Sequence, residues 1–395
     1  MLYRSIFELL HMVGVVSFRE FFGFDNPFSL TPEEKEKIWA DQKELKQEVE
    51  NIIKLFLMTS PTRLIILYGD WGSGKTHAMR YFTNEENLKS LSEPLHLTTP
   101  LAISLICPTN QAFNTLYIKI VEKIYPRLVE VVKVIDDSLG SLRDPRLLQS
   151  ELSKYIENKN LVKVLSQVTD TRKEMLVEKY LLMTAKPTEL DKLGVPRGIS
   201  TYVDMIETLS NIFTFLMESN KYLKIIIWID EGEHVFAMTG KDLLEFQTFL
   251  RDLIDHVPRN LLILINASLK PGQSVQEFVE YLGEPNRRRI NRVISSPEMR
   301  PEEAIQYVKD YLQLLERNPF ETNTIESTIA IIAEEAKNRG LALTPALVNA
   351  AFSVILDTAY FEKKDTITIE FINNIKDKLI SATFSQYRYT TESLL

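Results

Sequence analysis

The sequence predicts an α/β core built on a buried parallel sheet, followed by an all-helical C-terminal domain. Three observations predict it. Short, almost wholly apolar runs rich in β-branched residues recur at 63–69, 101–107, 224–230, 261–267 and 290–295, as strands covered on both faces require. Helical stretches separate these runs, the alternation that a parallel sheet with crossover helices imposes. Beyond residue 300 the strand signal stops, and 301–317, 324–339, 344–360 and 368–382 each read as one helix.

The 395 residues, 45% of them hydrophobic, suffice for one full core and a smaller domain. The expected boundaries are an N-terminal helix and linker at 1–46, an α/β core at 47–299 and the helical domain at 300–395. In the first segment, Ile6, Leu9, Leu10, Val13 and Val16 fall on one helical face, while Glu8 and His11 interrupt the apolar stretch that a secretion signal would need. Thr31-Pro32-Glu33-Glu34 starts a second helix, expected to run to about residue 58. Nearly 120 residues separate the second strand from the third, too many for a simple crossover. A helical insertion at about 139–200 is therefore expected, either projecting from the core beside the second strand as a partner-binding surface or packed as a structural elaboration, with turn signals at Pro187, Gly194, Pro196 and Gly198. No apolar run approaches the roughly 20 residues of a membrane span. The single cysteine, Cys107, excludes an intramolecular disulfide and a Cys-rich zinc site, which fits a reducing cytoplasm. A formal net charge of -8 disfavours a nucleic-acid surface except as a local patch.

Four groups of residues carry chemistry. The run Gly69-Asp70-Trp71-Gly72-Ser73-Gly74-Lys75-Thr76 satisfies G-x-x-x-x-G-K-[ST] between a predicted strand and a predicted helix, with His77 following. Its glycines let backbone N–H groups converge on phosphate oxygens, Lys75 reaches the β- and γ-phosphates, and Thr76 ligates magnesium. At the end of the third strand stand Asp230, placed to hold the magnesium through water, and Glu231, placed to orient and deprotonate the attacking water. Glu233 reads as a solvated or structural carboxylate. The fourth strand ends near Asn266, a candidate for contact with the γ-phosphate or the lytic water; a capping role in the next turn is the bland alternative. Four arginines fall within six positions at Arg287, Arg288, Arg289 and Arg292. One of the first three can complete the ATP site of a neighbouring subunit; a DNA-phosphate patch and a solvated, internally paired run are the rivals.

In that order, GDWGSGKT, IIIWIDE, ILIN, the arginine cluster and four C-terminal helices resemble the AAA+ superfamily over roughly residues 22–382. The lead-in FGFDNPFSLTPEE and the helical layout resemble the origin-recognition and initiator clade, with relatives among transposition regulators and secretion ATPases. The stretch from Tyr180 through KPTELDKLGVPRGI to IDEGE also resembles initiator-like ATPases of BREX-type phage defence. The resemblance implies a sheet in the order 5-1-4-3-2, ATP and Mg2+ bound between core and helical lid, and a homo-oligomer that completes the site. Two departures stand out. Leu343-Thr344-Pro345-Ala346 occupies the place where the third lid helix usually starts with a sensor arginine, and Arg339 lies several residues earlier. Initiators continue into a winged-helix domain, whereas this sequence stops soon after its fourth lid helix, so DNA recognition by that route is not expected.

Two functions from different classes follow. One is an ATP-hydrolysing switch that assembles and acts on DNA or a DNA-bound partner. The other is a nucleotide-gated scaffold or sensor with slow turnover that recruits an effector protein. A protein remodeller would need an aromatic pore-loop residue that the region after the second strand does not offer. A GTPase would need an N-K-x-D guanine signal.

Overall fold

The computed structural model describes residues 17–28, 39–40, 42–140, 145–219, 224–269, 273–313, 315 and 317–392. Residues 1–16 and 29–38, where a first helix and the start of a second are expected, lie outside them. The chain divides into two compact units. One holds 47–68 and 78–295; the other holds the described part of 1–46, then 69–77 and 296–395.

The first unit is built on five strands: β1 (Arg63–Gly69), β2 (Leu101–Ile106), β3 (Ile225–Asp230), β4 (Leu261–Ser268) and β5 (Ile290–Ser295). Their order is β2-β3-β4-β1-β5, the expected 5-1-4-3-2 read from the other edge. The central strands are continuous apolar runs because both faces are covered: every residue of β3 is buried, as is all of β4 but its last. β5, at the edge, alternates poorly and exposes Arg292 and Val293. Parallel pairing runs in register from Leu101 with Ile225 to Ile106 with Asp230, and from Ile225 with Leu261 to Ile229 with Ile265. The carboxyl ends of β2, β3 and β4 therefore lie side by side.

Helices α1 (Phe18–Phe22), α2 (Lys43–Met58), α3 (Lys75–Thr83) and α4 (Glu85–Ser92) precede β2. Of the second expected helix the described residues show α2 from Lys43; Trp39 and Ala40, described just ahead of it, are not helical. After β2 comes α5 (Ala112–Ser138), the crossover helix, with Pro126 inside it. The insertion follows as α6 (Pro145–Leu152), α7 (Lys159–Leu165), α8 (Glu174–Leu181) and α9 (Pro187–Leu193). The turn signals Pro187 and Gly194 bracket a helix: the proline occupies the first turn of α9, Glu189 closes back on the Lys186 N–H at 2.8 Å, and Gly194 ends the helix. Of the two expectations for the insertion, projecting surface and packed elaboration, the core supports the second. Leu148, Leu152, Leu161, Val164, Leu165 and Leu181 are buried in the same apolar cluster as Ile103, Ile227 and Ile263 of the sheet. Mixed Lys, Glu and Leu spacing reveals an amphipathic helix but not what its apolar face meets.

The chain returns to the sheet through α10 (Tyr202–Glu218), capped by Thr201. α11 (Gly240–His256) links β3 to β4, and α12 (Val275–Tyr281) and α13 (Glu284–Arg287) link β4 to β5. In the second unit, α14 (Pro301–Leu312), α15 (Thr324–Asn338), α16 (Pro345–Phe361), α17 (Ile369–Asn374) and α18 (Lys376–Glu392) form a helical domain. Phe22, Phe24 and Phe28 of the lead-in are buried in its core with Phe352 and Tyr311, and Asn26 donates to Ser353 Oγ at 2.9 Å. Among the described residues no helix is long and apolar enough to cross a membrane.

Because the insertion shares the core, truncating it should destabilise the whole first unit. Leu165→Ala, at a fully buried site, is expected to cost about 2–5 kcal/mol in urea or thermal unfolding. A loss under about 0.5 kcal/mol would mark the insertion as an independent appendage.

Candidate functional site

The loop 69–77 leaves β1 and packs, within the second unit, on elements far away in sequence. Ser296, buried just after β5, donates from Oγ to the Ser73 carbonyl at 2.8 Å, and Gln42 Nε2 donates to the same oxygen at 3.0 Å. Both lone pairs of that carbonyl are thereby used. Gly72 accepts from the Ala346 N–H at 3.3 Å, at the first turn of α16. With φ at 74° and the Ala346 methyl where a Cβ would fall, position 72 admits only glycine without rearrangement. Trp71 packs on the apolar core of the helical domain. The His77 ring lies 5.5 Å from that of Trp39.

Lys75 is buried, and its ammonium is gathered into the loop: Nζ donates to Gly69 O at 3.0 Å, to Asp70 O at 2.7 Å and to Ser73 Oγ at 3.3 Å. Burying a cation without such partners would cost several kcal/mol. Thr76 is exposed in the first turn of α3, and Asp70 is exposed ahead of it. The donor set fits a triphosphate. An ammonium held within the loop, a helix N-terminus whose first N–H groups lack intrahelical acceptors, and an exposed hydroxyl supply charge, directed donors and a hard oxygen ligand.

In the first unit, β3 ends on Asp230, buried at 6% exposure. One residue beyond the last registered pair of β3 and β4 stand Asp230 and Asn266, and their side chains meet: Asn266 Nδ2 donates to Asp230 Oδ1 at 2.9 Å. Asn266 Oδ1 accepts from the Trp228 indole at 2.8 Å. An indole N–H only donates, so this bond fixes which end of the amide faces it and leaves the NH2 group for the carboxylate. Asn266 is thus fully buried between two neighbours. Phe82 of α3 stacks on Trp228 at 6.4 Å between centroids and 11° between planes. Glu233 accepts from the Ser268 N–H at 2.8 Å, tying the turn after β3 to the end of β4.

Glu231 follows in a left-handed conformation, φ 55° and ψ 39°, which costs a non-glycine residue about 1–2 kcal/mol. It caps a short 3-10 turn, Gly232–Ala237, whose glycine is required because a Cβ there would strike the Asn266 carbonyl and the Ile265 side chain. Burial pushes the Glu231 carboxyl above the usual range; Asp230 and Glu233 add to the rise, and His234 opposes it. Two neighbouring groups carry no obvious sequence signal. His234 contacts the Cys107 carbonyl at 2.8 Å and Glu231 at 3.4 Å. Cys107 is buried and its thiol is raised, chiefly by burial and then by the Glu233 and Glu231 charges.

The arginines are internally paired. Arg289 chelates Asp255, with Nη2 2.7 Å from each oxygen, and donates to the Pro285 carbonyl at 2.6 Å. Arg287 and Arg288 share the exposed Glu284 at 3.7 Å and 3.0 Å, and Arg292 meets Glu48 at 2.8 Å. In the helical domain Arg339 bonds Glu335 at 2.6 Å and covers the Phe384 ring at 4.5 Å. It is engaged within its own domain.

The fold and the phosphate loop define a P-loop NTPase with the AAA+ architecture. The KAP family P-loop domain model matches residues 45–258, more than half of the sequence, and the chain belongs to that family. Among solved structures it is similar to the ORC2 protein of Aeropyrum pernix in a complex with ADPNP and ADP (TM-score 0.54, 12% identity, 90% of this chain and 71% of that one). The ADP form of the same protein gives a TM-score of 0.51 at 14% identity, with the same coverage. Cdc6p of Pyrobaculum aerophilum gives 0.50 at 14% identity, covering 87% of this chain and 68% of that one. At such identities the likeness is one of fold. No curated protein matches the sequence significantly.

The raised Glu231 has a thermodynamic consequence. A carboxyl that titrates higher in the folded state than at its ordinary value near 4.3 binds more protons folded than unfolded, so stability falls as pH rises through that interval. In magnesium-free buffer Glu231→Gln should therefore melt above the parent at neutral pH, with the gap closing below about pH 4. A gap that persists or widens in acid would contradict the burial penalty.

Proposed function

We propose that the chain binds ATP with magnesium in the phosphate loop, hydrolyses it, and works as a nucleotide-driven switch in an oligomer that acts on DNA or a DNA-bound protein. The observation that carries the chemical part is the state of its two functional groups. Lys75 is already gathered inside an intact loop, and Asp230 is fixed by Asn266 at the end of β3. In this reading Gly69 to Thr76 and His77 form the nucleotide cradle, and Thr76 and Asp230 are the magnesium's protein ligands. Glu231 is the general base for water. Magnesium supplies charge neutralisation on the phosphates when bound. Asn266 serves by holding Asp230 in place, a positioning role in keeping with its burial.

For the subunit contact, the exposed arginines are the better candidates. Surface ion pairs are worth about 0–1 kcal/mol, so Arg287 and Arg288 can leave Glu284 at small cost, whereas Arg289 is held bidentate by Asp255. The DNA part rests on the sequence resemblance to initiators.

A slower, sensing role is favoured by one observation. Helix α16 begins with Thr344-Pro345-Ala346 and meets the loop through the backbone bond from Ala346 to Gly72, and Arg339 is engaged by Glu335 and Phe384. Without a lid arginine on the phosphates, turnover would be slow and the bound state long-lived.

Lys75→Ala should abolish magnesium-dependent ATP binding in calorimetry; binding as tight as the parent's would remove the loop from the scheme. Glu231→Gln should bind ATP normally and hydrolyse it about 100-fold or more slowly. If Arg287 or Arg288 acts in trans, its alanine variant should lose on the order of 10³ in turnover with ATP affinity retained. Mixing that variant with Lys75→Ala subunits should recover part of the activity. An arginine that serves DNA would instead leave basal turnover intact and flatten the salt dependence of DNA affinity.

A further inference from the structure

His234 touches the residue read above as the base. Its backbone N–H donates to the Glu231 carbonyl at 3.0 Å, closing the first turn of the 3-10 segment. Its ring then spans two groups. Nδ1 lies 2.8 Å from the Cys107 carbonyl and Nε2 lies 3.4 Å from Glu231 Oε2. A carbonyl oxygen only accepts, so Nδ1 must carry a proton. Nε2 faces the carboxylate at ion-pair distance, a contact that attracts when the ring carries both of its protons.

Cys107 is itself anchored. Its N–H donates to the Asp230 carbonyl at 2.8 Å, continuing the β2–β3 ladder one residue beyond β2. The imidazole is therefore mounted on the sheet at one end and on the Glu231 side chain at the other. Glu231 needs such a mount: its left-handed backbone persists only where neighbours over-determine it, and its side chain, 38% exposed, would otherwise sample several rotamers. A base that wanders by about 1 Å can lose roughly 100-fold in rate.

We propose that His234 is the positioning residue for Glu231, its imidazole bridging the Cys107 carbonyl and the Glu231 carboxylate so that the carboxylate is held in one orientation. The proposal rests on the reading of Glu231 as the base, and the test keeps the two apart. Three variants of the full chain separate the two ends of the ring. His234→Ala removes both contacts. His234→Asn places an amide nitrogen near Nδ1 and keeps only the Cys107 bond. His234→Gln places one near Nε2 and keeps only the Glu231 contact. Steady-state ATP turnover is expected to fall about tenfold or more in kcat for His234→Ala and His234→Asn, with KM little changed, and to recover substantially in His234→Gln. Recovery in Asn to the level of Gln, or an unaffected Ala variant, would reduce His234 to a staple for the segment after β2 and overturn the proposal. A second readout needs no hydrolysis. In 15N-histidine-labelled full-length protein, His234, identified by its loss in His234→Gln, should show a protonated Nδ1 and an Nε2 resonance that moves in Glu231→Gln. An unmoved resonance overturns the pairing. A parent without turnover sinks the hydrolysis reading, and the resonance alone then decides whether the pairing stands.

Discussion

The strand-end chemistry depends on one buried amide. Asn266 joins a donor that can only donate, the Trp228 indole, to an acceptor that can only accept when ionised, the Asp230 carboxylate. Each partner would be costly to bury alone, by about 1–3 kcal/mol for the indole N–H and more for the charge. Together the three groups are satisfied, and they exist as a set only if β3 and β4 keep their register. Trp228, Asp230 and Asn266 fall on one face because side chains alternate with period two; a slip of one residue would send Asp230 to the other face. The same register carries β2, and with it the Cys107 carbonyl that meets His234.

Much of this was legible in the residues. All five strands lie where the apolar runs lie, within a residue or two at their ends, because fully buried parallel strands need near-continuous Ile, Leu and Val. The phosphate loop was legible because its glycines and lysine answer to one ligand geometry. What was not legible shares a cause: each case depends on a partner distant in sequence. Ser296 and Gln42 both bond the Ser73 carbonyl from 223 and 31 residues away, and neither is distinctive alone. The insertion's amphipathic helices gave no sign that their apolar faces join the main core. Asn266 was placed at the right strand end, yet its burial between Trp228 and Asp230 follows from the pairing register, which spacing does not give. The arginine run showed its charge but not its acids, since Asp255 and Glu48 come from other helices.

The phosphate loop groups with the helical domain and not with the strand it leaves. Its contacts explain this. Ser73 is bonded from Gln42 and from the segment after β5, and Gly72 from the start of α16, so three chain regions converge on two loop residues. Gly72 can make that approach because it has no side chain. The helical domain thus holds the loop backbone directly, while Arg339 is engaged by Glu335 and Phe384.

Asp230 is the point at which stability and chemistry oppose each other. A buried carboxylate is a poor choice for packing, and Asn of the same shape would remove the charge while keeping an acceptor for Asn266. The direct measurement is ATP affinity of Asp230→Asn by calorimetry, with magnesium and with EDTA. A carboxylate kept to hold the metal predicts that magnesium no longer strengthens ATP binding in the variant, while its melting temperature equals or exceeds the parent's. A magnesium effect as large as the parent's would contradict it.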